Sequence, residues 1–558
     1  MKNKWMVWIG VVGLLLLSGC GLWGEGAGQT VPVAERPFHF TNVTQAVGID
    51  FVHGAFRWGM SGDPVAMMGG GLCWVDYDQD GWLDLYAINS YAEAEAGQWE
   101  ANGGLPRNKL YRNMGGVFVD VSTASGADLA LRGNGCTAAD FNLDGYPDIY
   151  ITTARFNALL WNNGDGTFTE GAEAAGVDAY GWQTAVSVAD LNRDNLPDLF
   201  VAGYVDVNNR IPDATKGFPN TNLGLRDLLY INNGLDAAGR TTFREVGEAV
   251  GLESDNFAYG LGSLLTDVDG DGDLDLLIAN DTNPNYLYEN VAWSDGVDPL
   301  GLGFRLVERG AAAQVNDTNS GMGVAGGDFD ENGRFDLVIT NMGGQIHSLY
   351  RHGDGLTFAD AAGQIGVAEF GNTLTGWGTS WADFDLDTDL DLAIIQGAIP
   401  VLDLARDRQT AQILVNLTAQ GRPGQLEDRS QAAGLGYVGP LLGRGAAVAD
   451  YDNDGDMDIA IGTIGGSLAL LRNEVTGGNW LAVAGVAAGG EITAVLPDGR
   501  ELRRELYGGS SYLSAEDPRA HFGLGDVETI PLLRVRWPNG TITEQQNVAA
   551  NQLLLVVP

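Results

Sequence analysis

Short apolar runs recur along the chain at near-regular intervals, among them "LDLLIAN" at 274–280 and "FDLVIT" at 335–340. Runs this short and this continuously apolar predict strands buried on both faces. The strand before each run carries two glycines on one face: Gly69 and Gly71, Gly133 and Gly135, Gly260 and Gly262, Gly321 and Gly323, Gly376 and Gly378, Gly443 and Gly445. Only the third copy departs, with Gln183 and Ala185. Paired glycines mark close backbone approach, as expected for strands crowded around an axis. A third strand and turn follow, as in "KLYRNMGG" at 109–116 and "SLYRHGDG" at 348–355, then a fourth strand, as in "FVDVSTASG" at 118–126.

The fourth-strand pattern also occurs at 40–48, "FTNVTQAVG", ahead of the first complete unit. Four strands per unit, seven units and a mean spacing of about 62 residues predict an all-β, seven-bladed β-propeller over 38–475. The displaced strand is expected to pair with "LALLRN" at 468–473, so that both chain ends build the last blade and no sheet edge is left open. Residues 479–558 alternate apolar and polar positions around the turns "LPDG" and "WPNG", predicting a small C-terminal β-domain.

Between the first two strands of every unit lies an acidic loop of fixed form. The ligand positions 1, 3, 5 and 9 are Asp76, Asp78, Asp80 and Asp84 in the first loop and Asp140, Asn142, Asp144 and Asp148 in the second. The third and fourth hold Asp190, Asn192, Asp194, Asp198 and Asp267, Asp269, Asp271, Asp275. The last three hold Asp328, Asp330, Asn332, Asp336, then Asp383, Asp385, Asp387, Asp391, then Asp450, Asp452, Asp454, Asp458. Alternating carboxylates on a tight loop aim oxygens at one centre, which suits a hard cation with six to eight oxygen ligands; about seven Ca²⁺ are expected. The loops with Asn332 and with Thr388 at the turn position are expected to be the weakest. An EF-hand is excluded, because position 12 holds Ala87, Ile151, Val201, Ile278, Ile339, Ile394 and Ile461 and strands follow. "GMGVAG" at 321–326 matches a dinucleotide-binding pattern but leads into a metal loop rather than a helix.

Charge sharpens this picture. A formal net charge of −42, spread along the length, argues against nucleic acid or an anionic lipid surface as partner. The N-terminus has Lys2 and Lys4 before an apolar stretch from Trp5 to Leu17, the form of a secretory signal. "LSGC" at 17–20 resembles a bacterial lipobox, which implies cleavage before Cys20 and diacylation of its sulfur. Residues 1–20 then form a lipoprotein signal peptide and 21–37 a tether. The expected location is the outer membrane or cell surface of a bacterium, with the lipid as the sole membrane contact. Cys73 and Cys136 could pair in an exported protein, but they are read as buried free thiols.

The loops and their setting resemble the FG-GAP/VCBS repeat family, whose calcium loops in integrin α-chain propellers share the D-x-D-x-D-G-x-x-D form. "YGGSSYLSAEDPRAHFGLG" at 507–525 and "LLRVRWPNGTITEQQNV" at 532–548 resemble the ASPIC/UnbV domain that follows such propellers in the cartilage acidic protein-like family. The resemblance implies a calcium-stabilised, non-enzymatic binding or adhesion scaffold. Its protein or glycan ligand is expected on the face opposite the calcium loops, where the irregular segments 53–67, 90–108 and 203–227 should gather. The alternative is a propeller-based carbohydrate-active enzyme, a glycosidase or lyase. No catalytic motif marks one: His39, His53, His347, His352 and His521 form no ligand pair, although a glycosidase needs only two carboxylates. Arg519 and His521 either bind an anion or partner, or belong to a loop packed on the small domain.

Overall fold

In the computed structural model, which describes residues 36–558 apart from 213, 253–257, 295, 297 and 367–369, every acidic loop joins the first two strands of a four-stranded antiparallel sheet. The first sheet runs Leu72–Val75, Asp84–Ala87, Lys109–Asn113 and Phe118–Asp120. Five further sheets repeat this order along the chain, and the third sheet of the series is interrupted by a two-stranded ribbon of Val205–Arg210 and Asn222–Gly224 between its second and third strands. The seventh takes Gly443–Ala449, Asp458–Thr463 and Ala469–Asn473, and its outer strand is Phe40–Asn42. Phe40 lies opposite Asn473 and Asn42 opposite Leu471, the pairing expected from the displaced repeat. The signal peptide, Cys20 and most of the tether lie outside the described residues.

The first strands of successive sheets pack against one another, and that of the seventh, Gly443–Ala449, packs against that of the first. There the Trp74 indole Nε1 donates to the Ala447 carbonyl at 3.1 Å. The glycine pairs make this crowding possible. A Cβ on Gly262 would overlap the Met322 carbonyl, one on Gly323 the Trp377 carbonyl, and one on Gly445 the Gly70 carbonyl. The same closeness corrects the reading of the cysteines as free thiols. Cys73, two residues beyond Gly71, and Cys136, next to Gly135, have Cα atoms 6.1 Å apart and form a disulfide between the first and second sheets. Sequence spacing gave their proximity but not the directions of their side chains.

The C-terminal region is built from a four-stranded and a three-stranded sheet. Between them lies an apolar core that includes Leu481, Ile492, Phe522 and Trp537. The three-stranded sheet contains one parallel pair, Asn479–Ala484 with Gln552–Leu555. From this region the segment 507–516, "YGGSSYLSAE", runs in among the first strands of the repeat sheets. Its Gly508 carbonyl accepts from Val188 N at 3.1 Å, and Ser511 exchanges two backbone bonds with Val324 at 2.6 and 2.8 Å. The Leu513 carbonyl accepts from Cys136 N, and Ala515 bonds Leu72 and Trp74. At its tip the Tyr512 hydroxyl donates to the Met68 carbonyl at 2.9 Å. Strand edges that face an axis have no water to satisfy them; this segment supplies the missing partners.

Gly71 stands at a crowded point of this packing, since an added Cβ would overlap the backbone of Leu513, Asn134 and Gly135. None of these is a side-chain end that can swing away. Gly71→Ala is therefore expected to cost about 2–3 kcal/mol, read as a lowered urea midpoint at unchanged m-value. A loss under about 0.5 kcal/mol would mean that the segment does not occupy the axis in solution.

Candidate metal centres

A turn opened by Asp at position 1 and a second strand that begins with Asp at position 9 give each acidic loop its shape. In six loops the position-1 carboxylate accepts from the backbone N–H groups of positions 5 and 6. Asp76 bonds Asp80 N and Gly81 N, both at 3.1 Å, and Asp383 bonds Asp387 N and Thr388 N at 3.0 and 2.8 Å. Asp140, Asp190, Asp328 and Asp450 do the same. In the fourth loop Asp267 instead bonds Gly270 N at 2.9 Å. The turn residue has positive φ, which is why glycine fills it in most copies; Asn195 (φ 67°) and Thr388 (φ 94°) take the same conformation.

The position-9 aspartates Asp84, Asp148, Asp198, Asp275, Asp336, Asp391 and Asp458 are buried. One oxygen of each accepts from the backbone N of position 2, for example Tyr77 N to Asp84 at 3.3 Å and Leu191 N to Asp198 at 3.0 Å. The other accepts from a residue late in the third strand, for example Asn113 N to Asp84 at 2.7 Å and Asn162 N to Asp148 at 2.8 Å. That residue is asparagine in six sheets, and its side chain reaches the neighbouring loop. Asn162 Nδ2 donates to the Tyr77 carbonyl, Asn232 to Phe141, Asn290 to Leu191, Asn416 to Phe329 and Asn473 to Phe384. Asn113 donates to Tyr451 of the seventh loop at 2.7 Å. Only the fifth sheet differs, with His352 in that place. The repeated endings "LYRN", "LLWN", "LYEN" and "LLRN" carried this signal, but reading the runs only as strands passed over it.

Five loops gather three carboxylates whose ligand atoms lie within 4.8 Å of one another and could hold a metal ion. The groups are Asp76, Asp78, Asp84; Asp267, Asp269, Asp271; Asp328, Asp330, Asp336; Asp383, Asp385, Asp391; and Asp450, Asp452, Asp458. Position 3 supplies the test of fit. A buried oxygen without a hydrogen-bond partner occurs on Asp78, Asp330, Asp385 and Asp452, and on Asp385 both oxygens are so placed. Such orphaned oxygens are costly unless a cation takes them. The second and third loops have Asn142 and Asn192 at this position, whose amides donate to Asp144 and Asp194 at 2.9 Å. Among the described residues, these are the two loops in which no three carboxylates gather within that distance, whereas the loops with Asn332 and Thr388 do gather them.

Burial sets the electrostatics. It raises the carboxyls of Asp84, Asp148, Asp383 and Asp450 to about 8, against their backbone hydrogen bonds. Asp198, Asp275, Asp336, Asp391 and Asp458 are pushed well above the ordinary range by the same cause. A bound cation would compensate this desolvation.

The C-terminal domain reaches four of the loops with cationic side chains. Arg519 donates to the Asp450 carbonyl at 2.6 Å and to Asn453 Oδ1 at 2.7 Å, and His521 Nε2 lies 2.9 Å from the Gly455 carbonyl. Arg500 pairs with Glu331 and donates to Thr388 Oγ1, Arg503 donates to the Gly333 carbonyl, and Arg536 pairs with Asp267. Arg519 and His521 thus hold the seventh loop.

Family profiles match the chain in two places. The profile described as FG-GAP-like repeat matches residues 76–151, 140–201 and 267–339, and that described as ASPIC and UnbV matches 484–558. The chain carries FG-GAP-like repeats followed by an ASPIC and UnbV domain. It is distantly similar to cartilage acidic protein 1 of Homo sapiens, at 28% identity over 294 residues, 50% of this chain and 40% of the human protein. The Xenopus tropicalis protein is 26% identical over 346 residues, 58% of this chain and 49% of its own length. The chain thus spans half or less of the relatives it matches. Among solved structures, an Agrocybe aegerita lectin for non-reducing terminal N-acetylglucosamine has a TM-score of 0.38 at 13% identity, covering 71% of this chain and 90% of its own. The V. cholerae biofilm matrix protein Bap1 has 0.29 at 12%, covering 90% and 70%.

Two outcomes follow from the loops. Without metal, the native chain holds carboxyls whose pKa, at about 8, exceeds the unfolded value of about 3.9. It therefore binds more protons than the unfolded chain between about pH 4 and 8, and its stability falls as pH rises through that window. Calcium displaces those protons, so the loaded chain is expected to weaken on acidification instead. EDTA should lower the melting temperature more at pH 8 than at pH 5; a shift under about two degrees at pH 8 would make the loops turns rather than metal sites. Separately, Asn162→Ala leaves the Tyr77 and Pro147 carbonyls without their donor, and should cost about 1–3 kcal/mol in denaturant unfolding whether or not calcium is present.

Proposed function

We propose that the repeat sheets close into a seven-bladed, calcium-loaded propeller that acts as a non-enzymatic binding scaffold, with its ligand, a protein or glycan, on the face opposite the metal loops. Support for closure comes from the Trp74 bond to Ala447 and the Asn113 bond to Tyr451, which link the first and seventh sheets, the latter matching the asparagine bonds of five other sheets. Seven calcium ions are assigned, the second and third loops binding with Asn142 and Asn192 rather than a third carboxylate.

The observation that carries the choice of face is the C-terminal domain. Its arginines lie on the fourth to seventh loops, so much of the metal face is already covered by the chain itself. At the other end of the first strands a cavity of about 920 Å³ opens, lined by two of the three irregular segments, through Met60 and Pro64 of 53–67 and Phe218 of 203–227, while 90–108 contributes no lining residue. Ligand sites favour concave regions of this size. A glycosidase requires paired carboxylates, whereas Asp281 is the one carboxylate lining this cavity among the described residues, which supports binding over turnover.

Export and anchoring through Cys20 at a bacterial outer membrane or cell surface complete the reading. A panel of glycans and extracellular proteins, assayed with the calcium-loaded chain for both binding and product release, tests it. Binding without turnover is expected, weakened by substitutions around the cavity and unchanged by substitutions on the metal face. Release of product from any glycoside would replace the scaffold with an enzyme. Processing should be blocked by globomycin, and a mature chain beginning elsewhere than Cys20 would remove the anchor.

A further inference from the structure

The cavity opposite the metal loops has an unusual wall. Five of the chain's nine methionines line it: Met60, Met67, Met68, Met322 and Met342. They come from the entry segment before the first sheet and from the fifth sheet, so distant parts of the chain converge on one soft apolar surface. Thioethers are polarisable and adapt to flat or irregular apolar groups. Aromatic rings complete the wall. Tyr204 lies 5.9 Å from Phe218 and 6.2 Å from Tyr259, centroid to centroid, and Trp377 forms the floor with Tyr512 at 4.8 Å behind it.

One carboxylate interrupts this surface. Asp281 accepts from the Tyr204 hydroxyl at 2.8 Å and is joined to Ser320 by a backbone bridge. No lysine or arginine acts on it, and burial raises its carboxyl above the usual range in spite of the hydroxyl bonds. Two cations lie nearby without pairing with it. Arg210 sits exposed at the rim. Arg444 is buried, stacked 4.0 Å from the Trp377 ring, and its donors are taken by the carbonyls of Met67, Gly443 and Ala398. A desolvated carboxylate beside aromatic faces lacks a positive partner, and an ammonium satisfies both at once, through Coulomb attraction and the ring quadrupole. A lone carboxylate is too few for a metal ion, and a methionine wall offers a sugar few hydrogen bonds. The net charge of −42 favours a cation over an anion at long range.

We propose that this pocket binds an amphipathic organic cation, with its apolar body against the methionines and its ammonium head between Asp281, Tyr204 and Phe218. The inference rests on the reading of this face as the binding face, and names the chemical group that the ligand presents there.

Three dansyl probes that share one fluorophore and differ in the end of the alkyl arm separate the terms: dansylcadaverine with a terminal ammonium, N-pentyl dansylamide with none, and 6-(dansylamino)hexanoic acid with a carboxylate. Titrated into the calcium-loaded full chain at about 0.15 M NaCl, where long-range charge is screened, the ammonium probe should bind about tenfold tighter than the neutral one, and the acid weakest. Asp281→Asn should abolish the difference between ammonium and neutral probes. Met60→Glu, at a part-exposed position that spares the fold, should weaken the neutral probe by about tenfold. Equal affinity for ammonium and neutral probes, or an ammonium preference that survives Asp281→Asn, would overturn the assignment. So would affinities untouched by both Met60→Glu and Phe218→Ala. Loss of the probes with retention of ligands from the glycan and protein panel would remove the cation pocket alone, leaving the binding face in place.

Discussion

The structure depends on a carboxylate placed where a carboxylate should be costly. Each position-9 aspartate lies out of water, and both of its oxygens are held by backbone N–H groups, one from its own loop and one from the third strand. In six of the seven sheets that second donor belongs to an asparagine whose amide continues to the neighbouring loop. One side chain therefore fixes a loop, a strand pairing and an inter-sheet contact together. The cost is electrostatic, visible in carboxyls displaced far above their usual range, and a cation at positions 1 and 3 is the natural compensation. Metal and architecture are in this sense one arrangement, because the groups that would meet the ion are the same groups that tie the sheets to each other.

The C-terminal domain is bound into that arrangement rather than appended to it. Its core is its own, but the segment 507–516 supplies backbone partners to four of the seven repeat sheets, at Leu72, Cys136, Val188 and Val324, and a serine hydroxyl to Thr379 of the sixth. Arg519 and Arg503 bind loop carbonyls. The contacts made deep among the first strands are apolar and hydrogen-bonded, while those over the metal loops are charged. The tip residue Tyr512, sealed beneath Trp377, gives the opposite cavity its closed end.

Much of this was legible in the residues. The alternation of acidic loop and apolar run fixed strand order, the glycine pairs announced close backbone packing, and the stray repeat at 40–48 found its partner at 468–473. These are features that recur seven times, and repetition separates signal from accident. What recurred less plainly was missed. The asparagines late in the third strands sat inside runs read only for hydrophobicity. The disulfide turned on side-chain direction, which spacing does not report. The pocket drew on Met60, Met322 and Asp281, single positions far apart in the chain and outside any repeat. Arg519 and His521 were seen as unusual, yet their partners Asp450 and Gly455 lie in another part of the fold.

The seventh sheet has one more consequence, for the order in which the chain becomes available. Among the described residues, Phe40–Asn42 precedes every other strand of the repeat sheets in the chain, and its partner strand Ala469–Asn473 follows all of them. Until synthesis passes that point the early strand has nothing to pair with, and the axial segment at 507–516 arrives later still. Six repeat sheets pair only strands that are neighbours in the chain, save for the ribbon inserted in the third, whereas long-range pairing such as that of the seventh is slow. The seventh sheet and the axis are thus the last parts of the repeat fold to be completed, once the residues up to 516 have been made.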